Sequence, residues 1–311
     1  MVQRRRFLGT FGAAASVGIA GCTSVLGGSS LDELRLAYLP IYPNMQYFVM
    51  QREGYLDEIP AEVTAESFPD GPSLLQSFAS GDFDMALFGV VPAMVLMNKD
   101  VGAKLTAASN KNGMRILANE EFATLWEEEG KDAFSTWEQR KGRKFTFGTL
   151  PSGTVPDIML RYWLREAIGV DPESAVSIEG IGGHSRVKQA LLAGRVDGTS
   201  ITEPVATVVL TSDAPYAEIG WSGDYMPGQP TTAVVMGQSL REEYPSVATA
   251  YLEAHERATQ FIADNPMRAA AHASTVIGEE SLPPETARRA IQSHASQFVV
   301  DPHAVAESAV A

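Results

Sequence analysis

Cysteine occurs once in the 311 residues, at Cys22. One thiol excludes an intramolecular disulfide, and its position near the start leaves the body of the chain without a cysteine nucleophile or metal ligand. Histidine is also scarce. His184, His255, His272, His294 and His303 show neither the i, i+4 pairing nor the local acid cluster of a metal site. Lysine numbers only 7 against 17 arginines, and beyond Arg4, Arg5 and Arg6 the one dense cationic stretch is Arg140-Lys141-Gly142-Arg143-Lys144. With a formal net charge of −14, the chain as a whole carries the wrong sign for nucleic acid, whose binding depends on an excess of clustered cations. Net negative charge keeps a protein soluble in brine; a salt-loving source accounts for the composition, and a GC-rich genome accounts equally for the arginine excess. Catalytic signatures are missing too. Ser200, within Gly198 to Thr202, lacks the second glycine of a nucleophile elbow, and Gly180 to Gly183 ends a partial dinucleotide-loop match at Ser185. No residue is assigned a catalytic role, and no metal or cofactor is expected.

What the sequence does contain begins with an address. Arg4-Arg5-Arg6-Phe7-Leu8 precedes a mild apolar run ending at Ile19-Ala20-Gly21-Cys22. The stretch from Phe7 to Ala20 is shorter than the about 20 residues needed to cross a bilayer, and a basic start before a short apolar run is the layout of an export signal. The paired arginines resemble a twin-arginine signal, and the residues around Cys22 resemble a lipobox, in which cleavage precedes a cysteine that is then lipidated. Residues 1–21 are expected to leave as a signal peptide, with residues 22–33 as a lipidated tether holding the protein to the outer face of the cell membrane. Thr23 to Ser30, rich in glycine and serine, reads as flexible.

The body alternates strands and helices. Leu34 to Leu39 reads as a strand, Met45 to Leu56 as a helix, Ala61 to Phe68 as a strand, Ser73 to Ser80 as a helix, Met85 to Phe88 as a strand and Lys104 to Ala108 as another. After the charged stretch from Glu120 to Lys144, the stretch from Lys144 to Gly169 reads as a buried strand, a small-residue loop and an amphipathic helix. Its loop, Pro151 to Pro156, offers Ser152 or Thr154 as a helix cap, Pro156 for the first turn, and Gly153 for close approach of a ligand to the backbone. Strands follow at Ala175 to Ile181, Gly198 to Ile201, Ala217 to Trp221 and Thr232 to Met236. Ser239 to Asn265 reads as one long helical region with Pro245 inside it, and Pro284 to Ser296 as a late helix. Such alternation points to sheets with parallel strands and ligands at their C-terminal ends. One unit recurs. Gln76 to Asp84 and Gln189 to Asp197 both run helix, glycine, aspartate, with a proline at a following helix start, Pro92 or Pro204; this predicts two lobes of related build.

The signal, Tyr47 to Leu56, Ser80 to Gly89, Pro151 to Pro156, and Leu192 to Asp197 through Glu203 and Pro204 together resemble the substrate-binding proteins of ABC importers in the nitrate, sulfonate, taurine and thiamine-precursor group. The resemblance runs over roughly residues 34–265. It implies an α/β, two-lobe, type II periplasmic-binding-protein fold with two crossovers and a ligand cleft between the lobes. Lobe 1 would comprise 34–115 and 225–311, and lobe 2 would comprise 116–224. The resemblance places cleft residues in the strand-to-helix loops: Tyr42, Asn44 and Tyr47; Asp70 and Gly71; Gly89 and Val90; Ser152, Gly153 and Thr154; Gly183 and His184; Thr202 and Glu203. A ring at Tyr42 or Tyr47 would stack on a flat ligand, while hydroxyls and amides orient it. The implied function is capture of a small molecule outside the cytoplasm and its delivery, by a monomer, to an ABC importer permease. Two alternatives stay open, a pyrimidine-synthase-like enzyme of thiamine biosynthesis on the same fold and a ligand-binding sensor lipoprotein. The enzyme family relies on a cysteine-rich segment that this chain lacks. Amide-rich loops favour an anion, yet only Arg186 adds a cation near them, and the aromatic and acidic mix suits a pyrimidine or an amine equally.

Overall fold

The computed structural model describes residues 30–99 and 102–301. The expected signal peptide and the lipidation site Cys22 lie outside these residues. The described strands, in chain order, are β1 (Glu33–Tyr38), β2 (Glu62–Ser67), β3 (Met85–Gly89), β4 (Lys104–Ala108), β5 (Asn110–Lys111), β6 (Arg115–Asn119), β7 (Phe145–Thr149), β8 (Val176–Gly180), β9 (Gly198–Ile201), β10 (Tyr216–Trp221), β11 (Thr232–Met236) and β12 (Gln297–Phe298). Helices separate most of them, which lets β1, β2 and β3, and likewise β7, β8 and β9, run parallel through crossovers.

Two five-stranded sheets result. The first has the order β2-β1-β3-β11-β4 and the second, read from its far edge, β8-β7-β9-β6-β10. The two orders are the same. In the first, β1 pairs in parallel with β2 and β3 while β11 runs antiparallel between β3 and β4. In the second, β7 pairs in parallel with β8 and β9 while β6 runs antiparallel between β9 and β10. Each antiparallel strand thus comes from the other side of a crossover.

Apolar faces explain the lobes. Leu34, Leu36, Met85, Leu87, Val234 and Met236 from the first sheet bury themselves under the helices Met45–Arg52, Pro245–Asp264 and Pro266–Ile277. The second sheet buries Phe145 and Phe147 with Phe122, Phe134, Trp137 and Trp163 in an aromatic cluster, Phe122 and Phe145 having centroids 4.0 Å apart. Burial of this kind contributes about 25 cal/mol per Å² of apolar surface, which makes these clusters the main stabilising term of each lobe.

Several elements differ from the sequence reading: the helix expected from Met45 to Leu56 ends at Arg52, and Gly54, at φ 75°, leads into a separate 3-10 turn, Tyr55–Glu58. Arg115 to Asn119 reads as no particular element, yet β6 carries Ile116, Leu117 and Ala118 fully buried in the middle of the second sheet. A central strand needs no alternation, because both of its faces are covered. The long helical region splits into Gln238–Glu243 and Pro245–Asp264. Pro245 has no N–H to continue the first helix and suits the first turn of the second. The late helix stops at Ile291. Ser296 Oγ donates to the Ala290 carbonyl at 2.6 Å there, and the chain goes on as β12, which pairs antiparallel with β5.

The crossovers lie side by side. Asn112, at φ 55°, donates its backbone N–H to the Gln229 carbonyl at 2.7 Å, and its carbonyl accepts from Trp221 Nε1 at 2.7 Å. Its side chain accepts from Gly228 N at 2.7 Å and donates to Gln297 Oε1 at 2.9 Å. Asparagine tolerates the left-handed conformation better than most residues. One side chain therefore ties together the first crossover, the second crossover and the C-terminal strand.

Candidate ligand-binding cleft

The C-terminal ends of the parallel strands of both sheets face each other across a cavity. From the first lobe come Leu39 and Ile41 after β1, Asp70 and Pro72 after β2, and Gly89 and Pro92 at β3. From the second come Leu150, Pro151 and Thr154 after β7, His184 after β8 and Thr202 after β9. Thr231 and Thr232, arriving by the second crossover, complete the wall. Open α/β sheets bind ligands at this end of their strands. The space open to the centres of water-sized molecules is about 50 Å³. A buried water needs on the order of 10–15 Å³ by that measure, so the cavity takes roughly three to five waters or a ligand of few heavy atoms.

The lobes touch around it. A Cβ on Gly89 would stand 3.1 Å from Val155 Cγ2, and one on Gly183 would stand 3.3 Å from the Pro69 carbonyl oxygen. Glycine lets the walls approach where any side chain would intrude. Val90, Ala108, Met114, Val155 and Met159 form a shared apolar cluster between the lobes.

The polar groups of the wall are few and mostly occupied. Asp70 caps the helix Gly71–Ala79, accepting from Ser73 N at 2.9 Å. Thr154 Oγ1 donates to the Pro151 carbonyl at 2.7 Å and Thr232 Oγ1 to the Pro43 carbonyl at 3.1 Å. Thr202 Oγ1 lies 3.4 Å from His184 Nε2. Desolvation in the cleft pushes the His184 pKa down from 6.5 to about 4, so its imidazole is neutral at physiological pH. Thr231 Oγ1 is buried with no hydrogen-bond partner. Among the described lining residues, only Asp70 and His184 are ionisable, and none is Phe, Tyr or Trp.

Asp70, Gly71, Gly89, Thr154, His184 and Thr202, expected from the loops, all line the cavity. Others lie elsewhere. Tyr42 and Tyr47 are buried in the first lobe's core. The Tyr42 hydroxyl donates to the Ala287 carbonyl, and burial raises its pKa; Tyr47 packs against Tyr38 with centroids 4.5 Å apart. Neither ring faces the cavity. Both sit on helical turns whose inward side the sheet covers, so the aromatic signal is one of core packing. Asn44 spends its side-chain amide on the Leu39 carbonyl at 2.8 Å. Val90 donates its N–H to the Thr231 carbonyl at 3.1 Å and packs between the lobes. Ser152 and Gly153 are exposed on the loop's outer side. Glu203 is buried, paired with Arg115 at 2.7 Å and accepting from Thr207 N at 3.0 Å. The lining residues not foreseen are apolar residues and prolines, together with Thr231 and Thr232, whose only signal is a place directly after the second crossover.

Two lobes of one strand order, two adjacent crossovers and a cavity between strand ends define the α/β periplasmic-binding-protein class, in its two-lobe form. A family model described as "NMT1-like family" matches residues 27–278, and the chain belongs to that family. Solved structures of the same fold include the alkanesulfonate-binding protein SsuA from Xanthomonas axonopodis pv. citri bound to MOPS, with TM-score 0.71, 14% identity and 91% of each chain covered. The ligand-binding component of an ABC-type import system from Staphylococcus aureus, with zinc bound, gives TM-score 0.69 and 16% identity over 90% of each chain. The periplasmic nitrate-binding protein NrtA from Synechocystis PCC 6803 gives TM-score 0.69 and 17% identity over 82% of this chain and 69% of its own. No curated protein sequence matches.

Proposed function

We propose that this protein is an extracytoplasmic solute-binding component of an ABC importer, which captures a small molecule between its lobes and releases it unaltered to a permease. The observation that carries this reading is the cavity at the strand ends of two like sheets joined by two crossovers. Lobes so joined close on a ligand by hinge motion. The structural neighbours that bind sulfonate and nitrate, or serve an import system, support it. Lobe 1 comprises 34–115 and 225–311 and lobe 2 comprises 116–224, with Ser152 and Gly153 on an exposed loop that meets the ligand in the open state. Turnover is not part of this reading: the lining carries one carboxylate committed to a helix cap and one neutral histidine, whose Nε2 stands 3.4 Å from the Thr202 hydroxyl with no third group among the described residues to orient the ring. The protein works as a monomer, held to the membrane by lipid on Cys22.

The test is retention. Immobilised protein is exposed to a small-molecule extract of cells, washed, denatured, and the released compounds are weighed. A single solute recovered unchanged supports the reading, and a chemically altered one favours the pyrimidine-synthase-like alternative. Cys22→Ala should move the protein from the membrane to the soluble extracellular fraction; unaltered membrane association would exclude the anchor.

A further inference from the structure

The last described helix, Pro284–Ile291, belongs by packing to the first lobe. Ala287, Ala290 and Ile291 lie in that lobe's core beside Pro266–Ile277, and the Ala287 carbonyl accepts from the Tyr42 hydroxyl. It also touches the other lobe. The helix packs against Val205–Leu210, and Val208, half-buried, joins the first lobe's core cluster from across the cleft. Just before the helix, the Ser281 carbonyl accepts from Lys188 Nζ at 3.3 Å. Just after it, His294 Nε2 donates to Glu218 Oε1 at 2.9 Å, and the His294 ring stands edge-on to Trp221 with centroids 4.7 Å apart. Ser293 Oγ lies 3.5 Å from the Arg115 guanidinium.

These contacts run along one flank of the cleft, from the crossovers outward. Glu218 lies on β10, which leads into the second crossover and pairs with β6, the strand that leaves the first. Val208 lies on the helix after β9, in the middle of the second sheet, and Lys188 on the helix after β8, at its far edge. A rotation that opens the cleft about the crossovers separates groups in proportion to their distance from the axis. Lys188 and Ser281 must therefore part furthest, the two helices less, and Glu218 and His294 least. The opposite flank is made differently, since Gly89 and Val90 there meet Val155 and Met159 through apolar contact.

We propose that the segment from Ser281 to His294 is a clasp, which fastens the lobes on one flank and holds the cleft closed whether or not a solute is bound. This goes beyond the solute-binding reading and does not depend on which solute is captured. Each contact is modest by itself. Lys188 and His294 are partly exposed, where a single polar contact contributes little, and Val208 removes only one side chain's apolar surface from water. Acting across one rotation they add, because the lobes cannot part without breaking several at once. The consequence is kinetic: solute enters only when the clasp lets go, so association is slower than at a site that stands open.

The experiment measures the distance between the lobes in the full chain with no solute added. Cys22→Ser removes the one native thiol, and spin labels attached at Ala79→Cys and Ala193→Cys report the distance. Both sites are exposed, at the ends of helices that follow β2 and β8, the edge strands furthest from the crossovers. This labelled parent should give one narrow, short distance. Lys188→Met combined with His294→Ala, and separately Val208→Ser, should each add a population at longer distance. Arg288→Ala, whose side chain pairs with Glu285 on the same helix, should add none. Melting temperatures are read alongside, and the Lys188 and His294 replacements, which take nothing from either core, keep the test decisive if Val208→Ser folds poorly. The same distance distribution in the parent and in the Lys188→Met, His294→Ala variant overturns the proposal, and so does a parent that is already widely spread without solute. Either outcome leaves solute binding standing, because retention of a solute tests that separately.

Discussion

The carboxylate of Asp197 accepts the backbone N–H of Thr146 at 2.8 Å, just where β9 comes alongside β7. Asp197 also gives its own N–H to the Thr146 carbonyl at 2.8 Å, and Arg143 closes on the carboxylate. The first lobe repeats the arrangement. Asp84 accepts from Arg35 N at 2.9 Å, gives its N–H to the Arg35 carbonyl at 2.9 Å, and pairs with the Arg35 guanidinium at 2.8 Å. Each aspartate stands three residues after a glycine of positive φ, Gly81 at 86° and Gly194 at 63°. The recurring helix-glycine-aspartate unit is therefore a device that fixes the third strand of each lobe beside the first.

Its removal should cost stability unequally. Asp197→Ala leaves the Thr146 N–H without its carboxylate partner, at about 1–3 kcal/mol. The effect of Asp84→Ala should be smaller, because the Asp84 side chain is 21% exposed against 8% for Asp197, and water can take over more of the bonds. Urea melts of the two variants measure the difference; equal losses would show that the two clamps do not differ in this way.

A buried ion pair joins the second lobe to the hinge. Arg115 pairs with Glu203 at 2.7 Å and with Glu218, and Glu218 in turn accepts from His294 at 2.9 Å. The side chains of Arg115 and Glu203 are 10% and 2% exposed. Arg115→Ala leaves Glu203 buried without its counter-charge and should cost about 3–5 kcal/mol, while a double replacement by Met and Gln should cost much less, since the charge pair itself is near break-even. Chemical denaturation of the single and double variants decides this.

Periodicity made the parallel strands and their helices legible, because each buries one face or a short apolar run. The loops at their ends followed from it, and the resemblance to importer substrate-binding proteins implied that Asp70, Thr154, His184 and Thr202 meet at one cleft. The tyrosines could not be placed. Tyr42 and Tyr47 sit in the same loop region as cleft residues, and only the packing of Pro284–Ile291 and of Tyr38 around them decides that they point inward. The same holds for Glu203, whose partner Arg115 is 88 residues away. Long-range pairing of this kind leaves no local pattern. Neither does β6, which has no alternation to read.

Acid should destabilise the fold through His255. Its Nε2 donates to the Ala108 carbonyl at 3.0 Å, its Nδ1 is buried without a partner, and desolvation lowers its pKa from 6.5 to about 4. Above pH 6.5 neither the folded nor the unfolded chain holds this proton, and the stability is fully present. Between 6.5 and 4 the unfolded chain takes up a proton that the folded one refuses, so stability falls with pH by up to about 1.4 kcal/mol per unit for one such group. His255→Gln should flatten that slope by one proton's worth. Melting curves at several pH values, for wild type and variant, test it; parallel curves would exclude His255 as the origin.

The approach of the lobes at Gly89 gives a mechanical test. Gly89 has φ −57° and ψ 136°, which any residue adopts, so only space forbids a side chain. A Cβ there would sit 3.1 Å from Val155 Cγ2 of the other lobe. Gly89→Val must either overpack the closed cleft, at about 1–3 kcal/mol, or hold the lobes apart. Parting them is the softer response, because only the crossovers and the C-terminal strand bind the lobes covalently or through backbone pairing, while each core stays intact. The variant should show a larger radius of gyration by small-angle scattering, a melting temperature close to wild type, and ligand affinity reduced by tenfold or more. Adding Val155→Ala should restore the space and with it the compact form. If Gly89→Val is as compact as wild type and instead melts at a markedly lower temperature, the lobes are locked together and the hinge does not open at this point.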